Sequence, residues 1–99
     1  MSETVDYGDL IEREGLFYKK FSNTPYTGKV TGEEHGSMKK GKREGEYLNY
    51  YDNGQLENEG NYKNGEREGE WVWYKDGQIR TKINYKNGKI RVREDYQVD

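Results

Sequence analysis

The chain repeats itself, and that repeat limits its fold before any motif is considered. From Gly45 to Gly69 it reads G-E-Y-L-N-Y-Y-D-N-G-Q-L-E-N-E-G-N-Y-K-N-G-E-R-E-G. The text then restarts as Gly69-Glu70-Trp71-Val72-Trp73-Tyr74-Lys75-Asp76-Gly77-Gln78-Ile79 and continues to Asn84-Tyr85-Lys86-Asn87-Gly88. Gly41, Gly65 and Gly88 stand 24 and 23 positions apart. A period of this length belongs to stacked units, in which each copy covers the hydrophobic face of its neighbour. An earlier, shortened copy is visible as well, because residues 37–45 match residues 61–69 in their glycines and in an apolar second position.

The punctuation of the repeat predicts its strands. Asn53-Gly54, Asn64-Gly65, Asp76-Gly77 and Asn87-Gly88 lie between strand-like runs. Asn-Gly and Asp-Gly are the pairs that tolerate the positive φ of both central residues of a type I′ hairpin turn. Strands are therefore expected at about residues 46–51, 55–63, 66–75, 78–86 and 89–94, joined as an antiparallel meander. Upstream, residues 10–13, 16–21 and 26–31 read as strands, 32–36 as a loop, and 1–9 as a loose arm. No helical period is sustained, and glycine every few residues costs a helix about 1 kcal/mol each. The expected fold is all-β, an open single-layer twisted sheet in one domain, 1–99. It divides into the arm (1–9), a lead-in with the shortened repeat (10–44), full repeats at 45–68 and 69–91, and a tail (92–99).

Two-residue loops also set the register. Tyr51 is expected opposite Leu56, Asn49 opposite Asn58 and Tyr47 opposite Gly60. Their face continues through Tyr62, Arg67, Gly69, Trp71 and Trp73, with Leu48, Tyr50, Glu57, Glu59, Val72 and Tyr74 on the other. In this register Trp73 faces Arg80 and Trp71 faces Lys82. One conflict stands. Tyr74 and Ile79 match Tyr51 and Leu56 in sequence, yet the second copy is one residue shorter before Tyr74. A one-residue slip needs a bulge to keep the faces, and the sequence leaves open which copy carries it.

Composition decides what kind of core this sheet has. Only 29% of residues are apolar, 36% are charged, and mean hydropathy is -1.43. That balance would suit a disordered chain, were it not for ten tyrosines and two tryptophans placed in register with the turns. Their amphipathic rings replace aliphatic side chains in a thin domain. A net charge of -2 gives no general attraction to nucleic acid or anionic lipid. With no cysteine there is no disulfide or thiolate site. No stretch reaches the roughly 20 apolar residues of a membrane span, and the first residues lack the apolar core of a signal peptide. The expected location is the cytoplasm, although removal of an export signal would leave the same text.

The residues do not assemble an active site. His35 is the only histidine, and Ser2, Ser22 and Ser37 lie in no nucleophile-elbow sequence. Glu33-Glu34-His35 is too small a group to select a metal, and the glycines mark turns instead of cradling phosphate. No reaction and no cofactor are expected. The informative cluster is aromatic and basic: Tyr50, Trp71, Trp73 and Tyr74 on the middle strands, with Arg80 and Lys82 beside them. These rings are either the core of the fold or a surface. A single-layer sheet cannot bury both faces, and exposed Trp, Tyr and Arg are the types that dominate binding hot spots. The six are therefore the candidate partner-binding residues.

The run Gly-Glu-Tyr/Trp-x-x-Tyr-x-Asn-Gly-Gln-Leu, followed by Glu-Gly-Asn-Tyr-Lys-Asn-Gly, resembles the bacterial variant of the MORN repeat, found in chains often labelled as antitoxins. The lead-in Leu10-Ile11-Glu12-Arg13-x-Gly15-Leu16-x-Tyr18, then Ser22-x-x-Pro25-Tyr26-Thr27-Gly28-Lys29-Val30, is similar to the opening of that family. The likeness spans about residues 9–91. It departs at the shortened first copy, at Ile83 where the preceding copy has Gly60, and after Ile90. The resemblance implies a meandering sheet used as an interaction surface, and no reaction. The expected partner is a protein, such as a toxin or effector enzyme, or a second copy of the chain. Attachment to a phospholipid surface is the alternative, opposed by the acidic balance. No nucleic acid is expected, and no feature selects a small-molecule or carbohydrate ligand.

Overall fold

The computed structural model describes residues 3–97. Ten strands run in chain order: β1 (Thr4–Asp6), β2 (Leu10–Arg13), β3 (Leu16–Lys19), β4 (Gly28–Thr31), β5 (Glu34–Lys39), β6 (Lys42–Tyr50), β7 (Leu56–Lys63), β8 (Glu66–Lys75), β9 (Gln78–Lys86) and β10 (Lys89–Asp95). Eight of them form one open sheet in the order β1-β4-β5-β6-β7-β8-β9-β10, and β2 and β3 form a separate hairpin. The fold is all-β, and the meander from β4 to β10 is antiparallel throughout.

Three expectations for the N-terminal third are corrected. The arm is ordered over its described part: Thr4–Asp6 pairs in parallel with β4, and Tyr7–Asp9 forms a 3₁₀ turn capped by the Asp6 carboxylate. The segment read as a loop at 32–36 contributes Glu34, His35 and Gly36 to β5, leaving only a two-residue connection. β3 stops at Lys19, and Phe21 projects fully into solvent with φ of 67°. The sheet is open, as expected, and one end of it is covered. The β2–β3 hairpin packs Leu10 and Phe17 against Tyr26, Val30 and Met38, closing a small core at that end.

The rest of the sheet is held by rings on one face, called here the ring face. Tyr47, Trp71, Ile83 and Tyr85 are buried, with Tyr62 and Trp73 packed on them. Trp71 is wholly buried and sits at the centre, its ring centroid 5.3 Å from Tyr47, 4.9 Å from Tyr62, 6.0 Å from Trp73 and 6.4 Å from Tyr85. Its indole N–H donates to the Asn61 carbonyl at 3.0 Å, so burial leaves no orphan donor.

Bulges explain how these rings share a face, and they settle the register conflict. Between β7 and β8 the partners pass from Glu59↔Val72 to Asn61↔Glu68, so Gly69, Glu70 and Trp71 stand opposite Gly60 alone. Gly69 takes a φ of 74° there, which a side chain would resist. The same shift recurs one copy earlier, where Leu48 and Glu44 flank Gly45 to Tyr47 opposite Gly36. A slip of two keeps every side chain on its face. A second, one-residue bulge occurs in both copies, at Glu57 against β6 and at Arg80 against β8. The missing residue therefore lies in the loop. Tyr50 pairs with Leu56 as Tyr74 pairs with Ile79, and Tyr51 is the additional residue of a longer turn. The expected pairing of Tyr51 with Leu56 is replaced, whereas Asn49↔Asn58 and Tyr47↔Gly60 are present.

Candidate functional site

The bulge at Arg80 redistributes the six candidate residues. Trp71 pairs with Ile83, Val72 with Lys82, and Trp73 with Thr81. The expected oppositions Trp73–Arg80 and Trp71–Lys82 are thus corrected: Arg80 is the residue that bulges out, and every partner beyond it moves by one. Trp71 and Trp73 lie on the ring face, the first fully buried and the second packed against it. Tyr50, Tyr74 and Lys82 alternate to the outer face and are half-buried. Arg80 is exposed in a cleft at the hairpin tips with Tyr51, Asp52, Gln55, Lys75 and Asp76.

On the outer face, Tyr74 and Lys82 come together. With Val72, Ile79 and Asn61 they line an open groove of about 390 Å³, bordered by the carboxylates of Glu46, Glu59 and Glu70. The Tyr74 phenol donates to the Glu59 carboxylate, and this bond, then burial, pushes its pKa up to about 12. The Tyr51 phenol donates to the Tyr74 carbonyl at 2.7 Å, tying the longer turn down onto β8. Tyr50 lies farther along the same face, its ring edge-on to His35 at 5.2 Å. Strand alternation sends His35 there and Glu34 to the ring face, so the Glu33-Glu34-His35 run does not converge on a common point.

The cation–π contacts on the ring face come from Arg43 and Arg67, not from Arg80 or Lys82. The Arg43 guanidinium lies 4.8 Å from the Phe17 ring centroid, 5.7 Å from Tyr47 and 5.5 Å from Tyr62. One copy later, Arg67 lies 4.8 Å from Trp71, 5.3 Å from Trp73 and 5.6 Å from Tyr85. The buried Glu34 carboxylate accepts from Arg43 Nε at 2.5 Å and Nη2 at 3.0 Å. Burial opposes the charge on Arg43, but the Glu34 hydrogen bond and charge outweigh it and raise the arginine pKa. Burial also raises the Tyr47 phenol, with Glu34 adding to the effect. Sequence reasoning missed these two arginines as a pair. Their signal was available in the copy-to-copy match of Arg43 with Arg67.

Among the described residues no group of three His, Asp or Glu side chains could hold a metal ion. The titratable groups with shifted pKa values are four of the tyrosines and arginines of the two cores, Tyr74 beside Glu59, and the exposed Asp95.

The family model of the MORN repeat variant matches residues 43–64 and again residues 67–87, which are β6–β7 and β8–β9 with their turns. No curated protein and no solved structure matches the chain.

Proposed function

We propose that this chain, whose residues 43–64 and 67–87 are MORN repeat variants, is a non-catalytic module that receives a basic segment of a partner protein on the outer face of its sheet. Repeats of this family generally mediate binding. In this reading, occupation of the partner's basic surface neutralises it, as an antitoxin or inhibitor does.

The groove between Tyr74 and Lys82 carries the reading. Its lining is mixed, with Val72 and Ile79 among polar side chains, and it holds three carboxylates against one ammonium. The groove is open to solvent along its length, so it suits a chain segment laid across it better than an engulfed small molecule. Aromatic and aliphatic side chains set among charged ones are a mixture that protein interfaces use. The acidic border attracts Lys and Arg and repels the phosphates of nucleic acids and anionic lipids.

The test is a binding titration with two probes, the protein encoded beside this chain and a strand-forming peptide of alternating Lys and Val. Reversal of the border by Glu46→Lys with Glu70→Lys is expected to weaken binding at least roughly tenfold with the β circular dichroism intact. Added salt should weaken the wild-type complex as well. Equal binding by both proteins, or stronger binding of the wild type to anionic vesicles than to either probe, overturns the proposal.

A further inference from the structure

The repeat can be read across its copies at two positions on the ring face. One is held in turn by Glu34, Asn58 and Thr81, and the other by Arg43, Arg67 and Ile90. In the first copy the two complete each other, the buried Glu34 carboxylate accepting two hydrogen bonds from Arg43. In the last copy the arginine is absent and Thr81 donates to Asp95 at 2.9 Å.

The middle copy is left incomplete. Arg67 is retained and half-buried, stacked on Trp71, Trp73 and Tyr85, but its side-chain acceptors are phenols, that of Tyr85 at 3.2 Å from Nη1 and that of Tyr62. Among the described residues no carboxylate lies within ion-pair distance of it. Its strand neighbours Glu66 and Glu68 alternate to the opposite face, and Glu68 already accepts from the Asn87 backbone at 3.3 Å. Where Glu34 stood, the chain has Asn58, only 6% exposed, and its buried Oδ1 has no hydrogen-bond partner. Asn58 is paired with Trp73, one of the rings beneath Arg67. A buried unpaired amide oxygen is costly, and phenols do not supply the two-pronged charged acceptor that an arginine's planar fork of donors matches.

We propose that Arg67 and Asn58 form a receptor site for a carboxylate from outside the chain, namely an Asp or Glu side chain of a bound protein. The incoming carboxylate takes the place that Glu34 occupies beside Arg43. Its two oxygens accept from the Arg67 guanidinium, and half a turn of the Asn58 amide replaces the unpaired acceptor with N–H donors aimed at the same group. The rings below exclude water from one side and strengthen both interactions. This site is on the ring face and takes an acid, so it does not rest on the outer-face reading, whose ligand is basic.

The chain carries its own reporter, because Trp71 and Trp73 are its only tryptophans and both lie against Arg67. Tryptophan fluorescence is followed while the full chain is titrated with the blocked peptide acetyl-Gly-Glu-Gly-amide, with its Gln counterpart, and with sodium acetate, at constant ionic strength. The Glu peptide is expected to give a saturable change, the Gln peptide none, and acetate a weaker one if the carboxylate alone is recognised. Asn58→Glu supplies the missing carboxylate internally and should reduce peptide affinity roughly ten- to a hundredfold while raising the melting temperature. Arg67→Lys keeps the charge but loses the fork and should also weaken binding. No saturable response to the Glu peptide, an equal response to the Gln peptide, or unchanged affinity in a folded Asn58→Glu protein overturns the proposal.

Discussion

Gly60 lies directly beneath the indole of Trp71: a β-carbon built on it would stand 2.3 Å from two ring atoms and 2.6 Å from a third. The contact is between neighbouring copies, since Gly60 lies in the copy at 45–68 and Trp71 in the copy at 69–91. It also accounts for Ile83, which holds the same position one copy later. The strand beyond Ile83 presents Arg93 opposite it, not a ring, and the isoleucine side chain fills the space. Glycine is thus required only where another copy follows. Gly60→Ala is expected to destabilise the fold by about 1–3 kcal/mol, because Trp71 is wholly buried and has nowhere to move. Urea unfolding followed by tryptophan fluorescence measures it, and a loss below about 0.5 kcal/mol would show that the ring can slide aside.

Glu34 and Arg43 join the two cores, because the guanidinium held by Glu34 also covers Phe17 of the N-terminal hairpin. Removal of one partner leaves a buried charge unpaired, so Glu34→Ala is expected to cost about 3–5 kcal/mol. The double variant Glu34→Met with Arg43→Met should recover most of that loss, since replacing both partners removes the desolvation penalty as well. Thermal unfolding of the two single variants and the double variant forms the required cycle. Additive losses would mean that the two side chains act independently.

The sheet was legible in the sequence where composition enforces geometry. Asn64-Gly65, Asp76-Gly77 and Asn87-Gly88 name their turns, and the pairing of Tyr47 with Gly60 follows from the loop length, although the ring over Gly60 is that of Trp71. The bulges at Glu57 and Arg80 carry no such mark, because many side chains can occupy a bulge that bends outward. That one unmarked residue moved Lys82 and Arg80 away from the tryptophans. The parallel edge strand at Thr4–Asp6 is three residues long, too short to show a period. The ion pair was hidden for a different reason. Glu34 and Arg43 look like two charges among many until Asn58 and Arg67 are aligned beneath them.

Tyr74 offers a pH signature. Its hydrogen bond to Glu59, then burial, raises its pKa from 10.0 to about 12. The folded protein therefore holds this proton more tightly than the unfolded chain does. The stabilisation is complete below pH 10.0, where both states keep the proton, and is lost as the pH rises through about 12. Tyr74→Phe should be less stable than wild type at neutral pH, and the gap should shrink over that window. Melting temperatures against pH read the gap, and the ultraviolet absorbance of tyrosinate should show one fewer late-titrating phenol. A gap that stays constant to the alkaline end would mean that the phenol–carboxylate bond contributes nothing.

Two Asn-Gly pairs that look alike in sequence are not equivalent in the fold. Asn64 has a φ of 52°, in the left-handed region of a type I′ turn, and its N–H reaches the Glu44 carboxylate at 3.2 Å. Asn53 stays out of that region. Its Oδ1 instead accepts from the Gln55 backbone at 2.9 Å, inside the longer turn closed by Gly54 N–H to the Tyr51 carbonyl. A β-branched side chain is strained at the first site and not at the second. Asn64→Val is therefore expected to cost about 1–2 kcal/mol from strain, against about 0.5–1 kcal/mol for Asn53→Val from one lost hydrogen bond. The same argument runs in reverse at Lys40, which occupies the Asn64 position of the preceding copy with a φ of 50°. Asparagine suits that conformation better, so Lys40→Asn should stabilise the protein by a few tenths to about 1 kcal/mol. Denaturant midpoints for the three variants decide it: if Lys40→Asn is destabilising, or Asn53→Val is the costlier valine, turn geometry is not what sets the cost at these sites.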